Sequence, residues 1–148
     1  MDNILIGFLS NPVVQCGFMG WLTAQILKVV INAGIHKTWD FKRLVGDGGM
    51  PSAHSATVTA VALAVGMEDG FNTPLFGAVF FFAVIVMHDA MGVRRETEKQ
   101  TKVLKKLMQD SNSQVPFEVK LKEFVGHTPL QVFGGFCVGI AVVLLRLL

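Results

Sequence analysis

The sequence predicts an all-α integral membrane protein, a helical bundle of about four transmembrane helices with an additional amphipathic helix at the interface. Of its 148 residues, 51% are hydrophobic and only 16% are charged, and the mean hydropathy is +0.51. A soluble domain of this length needs more polar residues to cover its surface. Because the chain contains no repeat and no low-complexity linker, residues 1–148 are expected to form a single membrane-embedded domain.

Four apolar segments are predicted to cross the membrane, at about residues 13–34, 51–67, 75–93 and 129–148. The second is short and rich in small residues, which let neighbouring helices approach closely, so it is expected at the centre of the bundle. Residues 4–9 are too short to span and are expected to lie at the interface. The start of the chain lacks the basic flank and cleavage site of a secretory signal, so the first span is expected to be retained.

An amphipathic helix is predicted directly after the third span. Residues 94–109 place apolar side chains among lysines at helical spacing, which indicates a helix that continues the span or lies along the membrane surface. Residues 110–116 interrupt this pattern. A second short segment at 117–125 then leads into the last span.

Composition also limits the partners of the chain. A net charge of +2 and a pI of about 8.7 are too mild to indicate nucleic-acid binding, whereas clustered basic residues suit anionic lipid headgroups. Cys16 and Cys137 lie in apolar segments without metal-ligand spacing. Both are expected to be reduced residues that serve in packing.

The distribution of charge predicts the orientation in the membrane. The loop after the first span contains three basic residues and the region after the third contains eight, whereas the turn after the second contains two acidic residues and no basic one. Positively charged loops face the cytoplasm, so both termini of a four-span protein are expected outside. The expected location is the plasma membrane of a bacterium, with the polar residues described next at its cytoplasmic face.

A glycine-rich loop at residues 46–55 leads into the second span. Glycines such as Gly49 let the backbone approach a ligand closely, and Ser52 supplies a hydroxyl where the start of a helix favours an anion. Pro51 suits the first position of that helix, and His54 can face the same pocket. An ordinary helix cap needs the same residues and no ligand, so the loop alone leaves both interpretations open.

A lysine within the first span is the second polar feature. Gln25 and Lys28 are three residues apart and share one helix face. Because a cation at this depth is unfavourable in lipid, Lys28 is expected to point into the bundle or toward a polar cavity. The alternative is that its long side chain extends to the interface.

Histidines and basic residues at one membrane face indicate phosphoryl chemistry. His54 and His127 precede the second and fourth spans, and Asp89 lies near the end of the third. One imidazole can attack phosphorus through a neutral nitrogen while the other protonates the departing alkoxide, and Arg and Lys can hold the remaining oxygens. The four histidines include no chelating i, i+4 pair, so we expect no metal and no other cofactor.

Together these motifs resemble the type 2 phosphatidic acid phosphatase superfamily, which also contains the vanadium haloperoxidases, and specifically its divergent branch of small membrane proteins. The matching segments follow the family order between about residues 20 and 140. They are AQILK at 24–28, GGMPSAHSA at 48–56, DAMGVRR at 89–95 and GHTPLQV at 126–132.

The resemblance implies a phosphohydrolase that forms a phosphohistidine. His127 matches the nucleophile and His54 the general acid. Gln131 occupies the place of an aspartate that orients the imidazole, and a neutral amide stabilises an imidazolium less well, so Asp89 or Glu123 would have to supply that charge. The residues expected to hold the phosphate are Ser52, Gly49 and Arg43, together with Lys28 or Lys37 and with Arg94 or Arg95.

Other positions also depart from the superfamily pattern. Lys37 and Arg43 are one residue closer than usual, and Leu44 replaces a proline. Leu121 stands where the superfamily has an arginine. Ala53 replaces a glycine, which is acceptable if its φ is negative.

These features predict hydrolysis of a lipid phosphomonoester or pyrophosphate, without identifying the lipid. The expected partners are this substrate and membrane lipids, and the oligomeric state, including a homo-oligomer, is left open. One alternative is a catalytically weak pseudoenzyme that binds phospholipid headgroups, which the glutamine at position 131 favours. A small oligomeric carrier or channel is disfavoured because the outer halves of the spans carry almost no polar residues.

Overall fold

The computed structural model describes residues 2–37, 39, 44, 49–110 and 126–146. Within them the chain forms five α-helices and no strand. Helix α3 packs against α2, α4 and α5, so the short segment predicted at the bundle centre lies there. The helices are α1 (Asp2–Ser10), α2 (Pro12–His36), α3 (Ala53–Asp69), α4 (Pro74–Asp110) and α5 (Pro129–Arg146).

Three of the four predicted spans are long and apolar enough to cross a membrane. They are α2, the Pro74–Gly92 part of α4, and α5. The remaining predicted span, α3, has 17 residues. At 1.5 Å per residue its length is about 26 Å, slightly less than the hydrocarbon thickness of a bilayer. Because α3 is enclosed by the other helices, its length need not match the lipid. The all-α membrane bundle is thus confirmed, with a short central helix.

Helix α4 runs without a break from the third predicted span through residues 94–109. The amphipathic segment therefore continues that span, which was one of the two predicted arrangements. The predicted segment at 117–125 lies outside the described residues.

Residues 4–9 form most of α1, and their large apolar side chains are exposed. Asn11 separates α1 from α2 by capping the second helix, since its Oδ1 accepts from the N–H groups of Val13 (2.9 Å) and Val14 (3.2 Å). Pro12 follows at the first helical position, where it removes no intrahelical hydrogen bond.

Glycines on two helices bring their backbones against α3. A Cβ atom at Gly20 of α2 would lie 2.8 Å from the carbonyl oxygen of Ala56, and one at Gly139 of α5 would lie 2.7 Å from the same oxygen. Ala56 is itself fully buried. Lipid chains are as apolar as the helix surfaces, so this close approach, rather than a hydrophobic driving force, holds the three helices together.

The same contacts give the helix directions. Gly17 of α2 contacts Val61 of α3, whereas Gly20, which comes later in α2, contacts Ala56, which comes earlier in α3. Helices α2 and α3 are therefore antiparallel. Along α5, Gly139 meets Ala56 while the preceding Gly135 meets Ser52 at the start of α3. Helices α3 and α5 are therefore parallel, and their N-termini lie at the same end of the bundle.

The two cysteines differ in environment. Cys16 is buried and Cys137 is exposed, and both are free thiols. The predicted packing role is right for Cys16 and wrong for Cys137. On α5, Gly135 and Gly139 face α3, and residue 137 lies between them in sequence and so on the opposite side of the helix.

Candidate functional site

The N-termini of α3 and α5 are joined directly. The backbone N–H of Ser52 donates to the carbonyl oxygen of Gln131 at 2.9 Å. Gly135 lies one turn further along α5, and a Cβ atom there would fall against the carbonyl oxygen of Ser52. Because the helices are parallel, the positive ends of two helix dipoles meet here, which favours an anion.

Side chains cap both helices at this junction. Ser52 is the N-cap of α3, and its buried Oγ accepts from the N–H of Ser55 at 3.3 Å. Thr128 and Gln131 form a reciprocal capping box at α5, with Gln131 Oε1 accepting from Thr128 N–H at 3.0 Å and Thr128 Oγ1 accepting from Gln131 N–H at 3.3 Å. The capping interpretation of the glycine-rich loop is therefore correct as far as Ser52 is concerned.

Pro51 does not occupy the first helical position that the sequence predicted. Ser52 has an extended backbone, with φ −69° and ψ 118°, and α3 begins at Ala53. Pro51 therefore precedes the cap, and the peptide bond from Met50 to Pro51 is cis. Ala53 is helical and is not among the described residues with positive φ, so alanine fits the place of the usual glycine.

The structure brings the two predicted catalytic histidines together. The rings of His54 and His127 lie edge to face, with centroids 5.6 Å apart and an interplanar angle of 64°. His127 is only 3% exposed, whereas His54 in the first turn of α3 is exposed. The backbone N–H of His127 donates to the carbonyl oxygen of Ala90 on α4 at 2.8 Å. Residues from α3, α4 and the segment before α5 thus converge.

The His127 imidazole is held in a form suited to nucleophilic attack. Its pKa is lowered from 6.5 chiefly by burial, and further by the positive charges of His54 and Lys28. The Gln131 side chain and the Gly49 backbone raise the pKa by a smaller amount through hydrogen bonding. Neither of them lies within hydrogen-bond distance of Nδ1, so this buried nitrogen has no hydrogen-bond partner among the described residues. The neutral ring with an available nitrogen is the nucleophilic state.

Lys28 points into the bundle, as predicted. It is 5% exposed, and Gln25 and Asn32 on the same face of α2 are also buried. The Oε1 atom of Gln25 has no hydrogen-bond partner among the described residues. Asn32 was not predicted, although its spacing of four residues from Lys28 within an apolar span was a usable signal.

Comparison with known proteins identifies the family of this chain. The chain matches the family described as the divergent PAP2 family over residues 9–142. The chain belongs to this family. It is also 39% identical over 148 residues to the uncharacterized membrane protein YuiD of Bacillus subtilis (strain 168), covering 92% of this chain and 94% of the relative. No solved structure matches the chain.

Membership of the divergent PAP2 family confirms the resemblance drawn from the four sequence segments, and the protein is an integral membrane protein. The pairing of His54 with His127 joins two of those segments, and the Ala90 contact joins a third. Lys28, in the remaining segment at 24–28, is near enough to lower the pKa of His127.

Of the two residues predicted to act on the imidazole, the Gln131 side chain is near enough to raise the pKa of His127, whereas Asp89 is exposed. Asp89 is 72% exposed, and its Oδ1 lies 3.6 Å from Nδ1 of the neighbouring His88. The contact of α4 with His127 at this point is made by the backbone carbonyl oxygen of Ala90 and not by the Asp89 side chain. The Gln131 oxygen is engaged in the capping box. No carboxylate therefore contacts Nδ1 of His127 within the described residues.

The structure describes part of the predicted phosphate-binding set. Gly49 has φ 87°, a conformation for which glycine is suited, and its backbone is close to His127. Lys37 is exposed at the left-handed C-cap of α2, with φ 55°, because the helix ends there. Arg94 and Arg95 follow Ala90 by about one turn of α4. Arg43 and Glu123 lie outside the described residues.

Proposed function

We propose that this protein is a membrane lipid phosphate phosphatase that hydrolyses a phosphomonoester or a pyrophosphate through a phosphohistidine at His127. The observation that carries the proposal is the contact between His54 and His127, one exposed and one buried, where two parallel helices begin. Membership of the divergent PAP2 family supports it.

Each residue then has a defined part in the reaction. A neutral ring nitrogen of His127 attacks phosphorus, and the bond to the leaving oxygen breaks as His54 donates a proton to that oxygen. Water then attacks the phosphohistidine while His54 accepts its proton, which releases inorganic phosphate and restores both rings. The helix N-termini and the cation of Lys28 stabilise the charge that gathers on the phosphoryl oxygens.

The site is proposed to face the cytoplasm of a bacterial plasma membrane. Lys37 at the end of α2 and the basic residues in the last part of α4 lie toward this end of the bundle, and the acidic turn that contains Glu68 and Asp69 lies at the other end. A lipid substrate would enter with its phosphate at the interface and its chains along the exposed apolar surface of the helices.

A second candidate is a headgroup-binding protein with weak catalysis. The observation that favours it is that no carboxylate contacts His127, because Asp89 is exposed and the Gln131 oxygen caps α5. Such a protein would keep the cationic environment and bind lipid phosphates without turning them over.

The decisive experiment measures phosphate release by the purified protein from mixed micelles of phosphatidate, phosphatidylglycerophosphate, or polyprenyl phosphates and pyrophosphates. Rapid quenching with a labelled substrate should trap an acid-labile, base-stable phosphohistidine that His127→Ala abolishes. His88→Ala is the matched control, since His88 is exposed at the same end of the bundle. Binding without release or adduct would establish the headgroup-binding candidate instead.

A further inference from the structure

A cavity lies at the end of the bundle opposite the two histidines. Its volume is about 240 Å³. Glu68 at its rim is fourteen residues beyond His54 on α3, so roughly 20 Å of helix separates the two sites. The cavity is lined by Cys16 of α2, by Ala64, Met67 and Glu68 of α3, and by Val143 and Arg146 of α5.

Arg146 is held in place at this cavity by the start of α2. Its Nη1 donates to the carbonyl oxygen of Pro12 at 2.8 Å and contacts Sγ of Cys16 at 3.2 Å. A guanidinium has five N–H groups in a fixed plane, so Arg146, which lines the cavity, has further donors that can bind an anion such as a phosphate. Ordering the side chain beforehand lowers the entropy lost when a ligand binds.

Glu68 supplies the opposite charge to the same cavity. Within the described residues no ion pair joins Glu68 to Arg146, although both line this space. A ligand with only a negative charge would gain from the arginine and be repelled by the carboxylate. A ligand that carries a phosphate and an ammonium at a short separation matches both.

The size and position of the cavity favour a lipid headgroup. Its volume is below the range usual for complete small-molecule sites, so it accommodates a headgroup and not a whole lipid. The last turn of α5 exposes Leu144 and Leu145 beside Arg146, and Met67 is exposed at the end of α3. Acyl chains attached to a bound headgroup can lie on this apolar surface.

We infer that this cavity binds the headgroup of a zwitterionic phospholipid with a primary ammonium, placing its phosphate on Arg146 and its ammonium on Glu68. The site is separate from the proposed phosphatase site and does not depend on it. A lipid headgroup and its soluble counterpart share the same chemistry, a phosphate ester that bears an ammonium. The experiment below distinguishes the lipid from the soluble compound.

Native mass spectrometry of the purified full-length protein tests the inference. Phosphatidylethanolamine, phosphatidylglycerol and soluble glycerophosphoethanolamine are added together, because their adducts differ in mass. The wild type should retain phosphatidylethanolamine over phosphatidylglycerol by about tenfold, the ratio expected for one hydrogen bond between charged groups. Equal retention of the two lipids, or an adduct of the soluble compound alone, would overturn the inference.

Variants assign the two charges. Glu68→Gln should remove the preference for phosphatidylethanolamine, and Arg146→Gln should reduce retention of both lipids. Met67→Trp narrows the cavity from an exposed position and leaves both charges in place, so it should also reduce retention of both lipids. If Arg146→Gln does not fold, Met67→Trp tests whether the lipids bind in this cavity. An unchanged preference in Glu68→Gln would contradict the assignment. Glu96→Gln and Lys99→Gln are controls, because these two exposed residues pair with each other far along α4.

Discussion

The backbone N–H of Ser52 donates a hydrogen bond to the carbonyl oxygen of Gln131 at 2.9 Å, and so ties the start of α3 to the start of α5. Each helix has its own cap, which could form without the other. The link between them fixes the position of His54 relative to His127, whose rings are 5.6 Å apart. Two local capping motifs thereby become one site.

The roles of the two histidines are separable by leaving group. His127→Ala should reduce turnover to background for every substrate, because no covalent intermediate can form. His54→Ala should slow hydrolysis of a lipid phosphate by roughly 10²- to 10⁴-fold, since its alkoxide needs a proton, and should largely spare an activated aryl phosphate. Steady-state rates on both substrates measure this. Normal turnover in His127→Ala would show that the nucleophile is another residue.

Lys28 should contribute to the position of the acid limb of the pH profile. Burial, then His54, then Lys28 lower the pKa of His127 from 6.5, and the neutral ring is the attacking form. The acid limb of kcat/KM should therefore lie below pH 6.5 in the wild type and move to higher pH in Lys28→Met, toward the ordinary histidine value. Lys99→Met is the control for loss of a positive charge. If the limb of Lys28→Met stays where it is in the wild type, Lys28 does not act on His127.

The lowered pKa of His127 should make the stability of the protein depend on pH. The folded protein holds His127 neutral, so between its lowered pKa and 6.5 the unfolded chain binds more protons than the folded one. The free energy of unfolding should decrease as pH falls through this window. His127→Gln should reduce that decrease, which denaturation in detergent at a series of pH values can measure.

Much of the bundle was predictable because membrane spans carry a strong apolar signal. The bounds of α2 and α5 differ from prediction by two residues or fewer at each end, and the inward orientation of Lys28 followed from the unfavourable burial of a charge in lipid. Helix α3 was predicted as a short span because its apolar segment is short. Its enclosure by three helices follows from its small residues.

The orientation of side chains at the site was less predictable. The sequence suggests Asp89 as a partner for the imidazole, but in the structure the Ala90 backbone carbonyl contacts the His127 backbone, and the Asp89 side chain lies beside His88. Family spacing likewise suggests that Gln131 orients the ring. Only the structure shows its oxygen bound to Thr128 N–H. Such choices depend on the rotation of each helix about its axis, which sequence spacing does not fix.

Close packing of α5 against α3 should make Gly139 sensitive to added volume. A Cβ atom at this position would lie 2.7 Å from both the Ala56 carbonyl oxygen and the Thr59 Cβ. Gly139→Ala should therefore destabilise the protein by about 1–3 kcal/mol, the usual range for overpacking. Gly77→Ala is the control, because nothing lies within 4 Å of a Cβ there. Thermal unfolding in detergent compares them, and equal stability would show that α5 can shift without loss.

The orientation of the bundle is testable by labelling single cysteines in intact cells. In a background with Cys137→Ser and the buried Cys16 retained, Lys99→Cys should react with an impermeant maleimide only after the membrane is opened. Asn72→Cys, in the exposed turn at the opposite end, should react in intact cells. This expectation comes from the positive-inside rule, applied to the basic residues in the last part of α4. Reversed labelling would place the histidines outside.

Gln131 provides the last test, because its side chain caps α5 and lies near the His127 imidazole. Gln131→Asp should still accept a hydrogen bond from Thr128 N–H, since a carboxylate is suited to the third position of a helix. It would also place a negative charge near His127, where a carboxylate stabilises the imidazolium, so turnover should rise.

Two further measurements distinguish this effect from simple loss of the cap. Gln131→Ala removes the cap without adding charge and should destabilise the protein by about 0.5–2 kcal/mol, the range for lost N-terminal caps, without raising turnover. In Gln131→Asp the pKa of His127 should be higher than in the wild type, and the acid limb of kcat/KM should shift to higher pH with it. A faster enzyme with an unmoved limb would mean that the carboxylate acts on the substrate. A slower one would mean that the amide is already the better residue for this site.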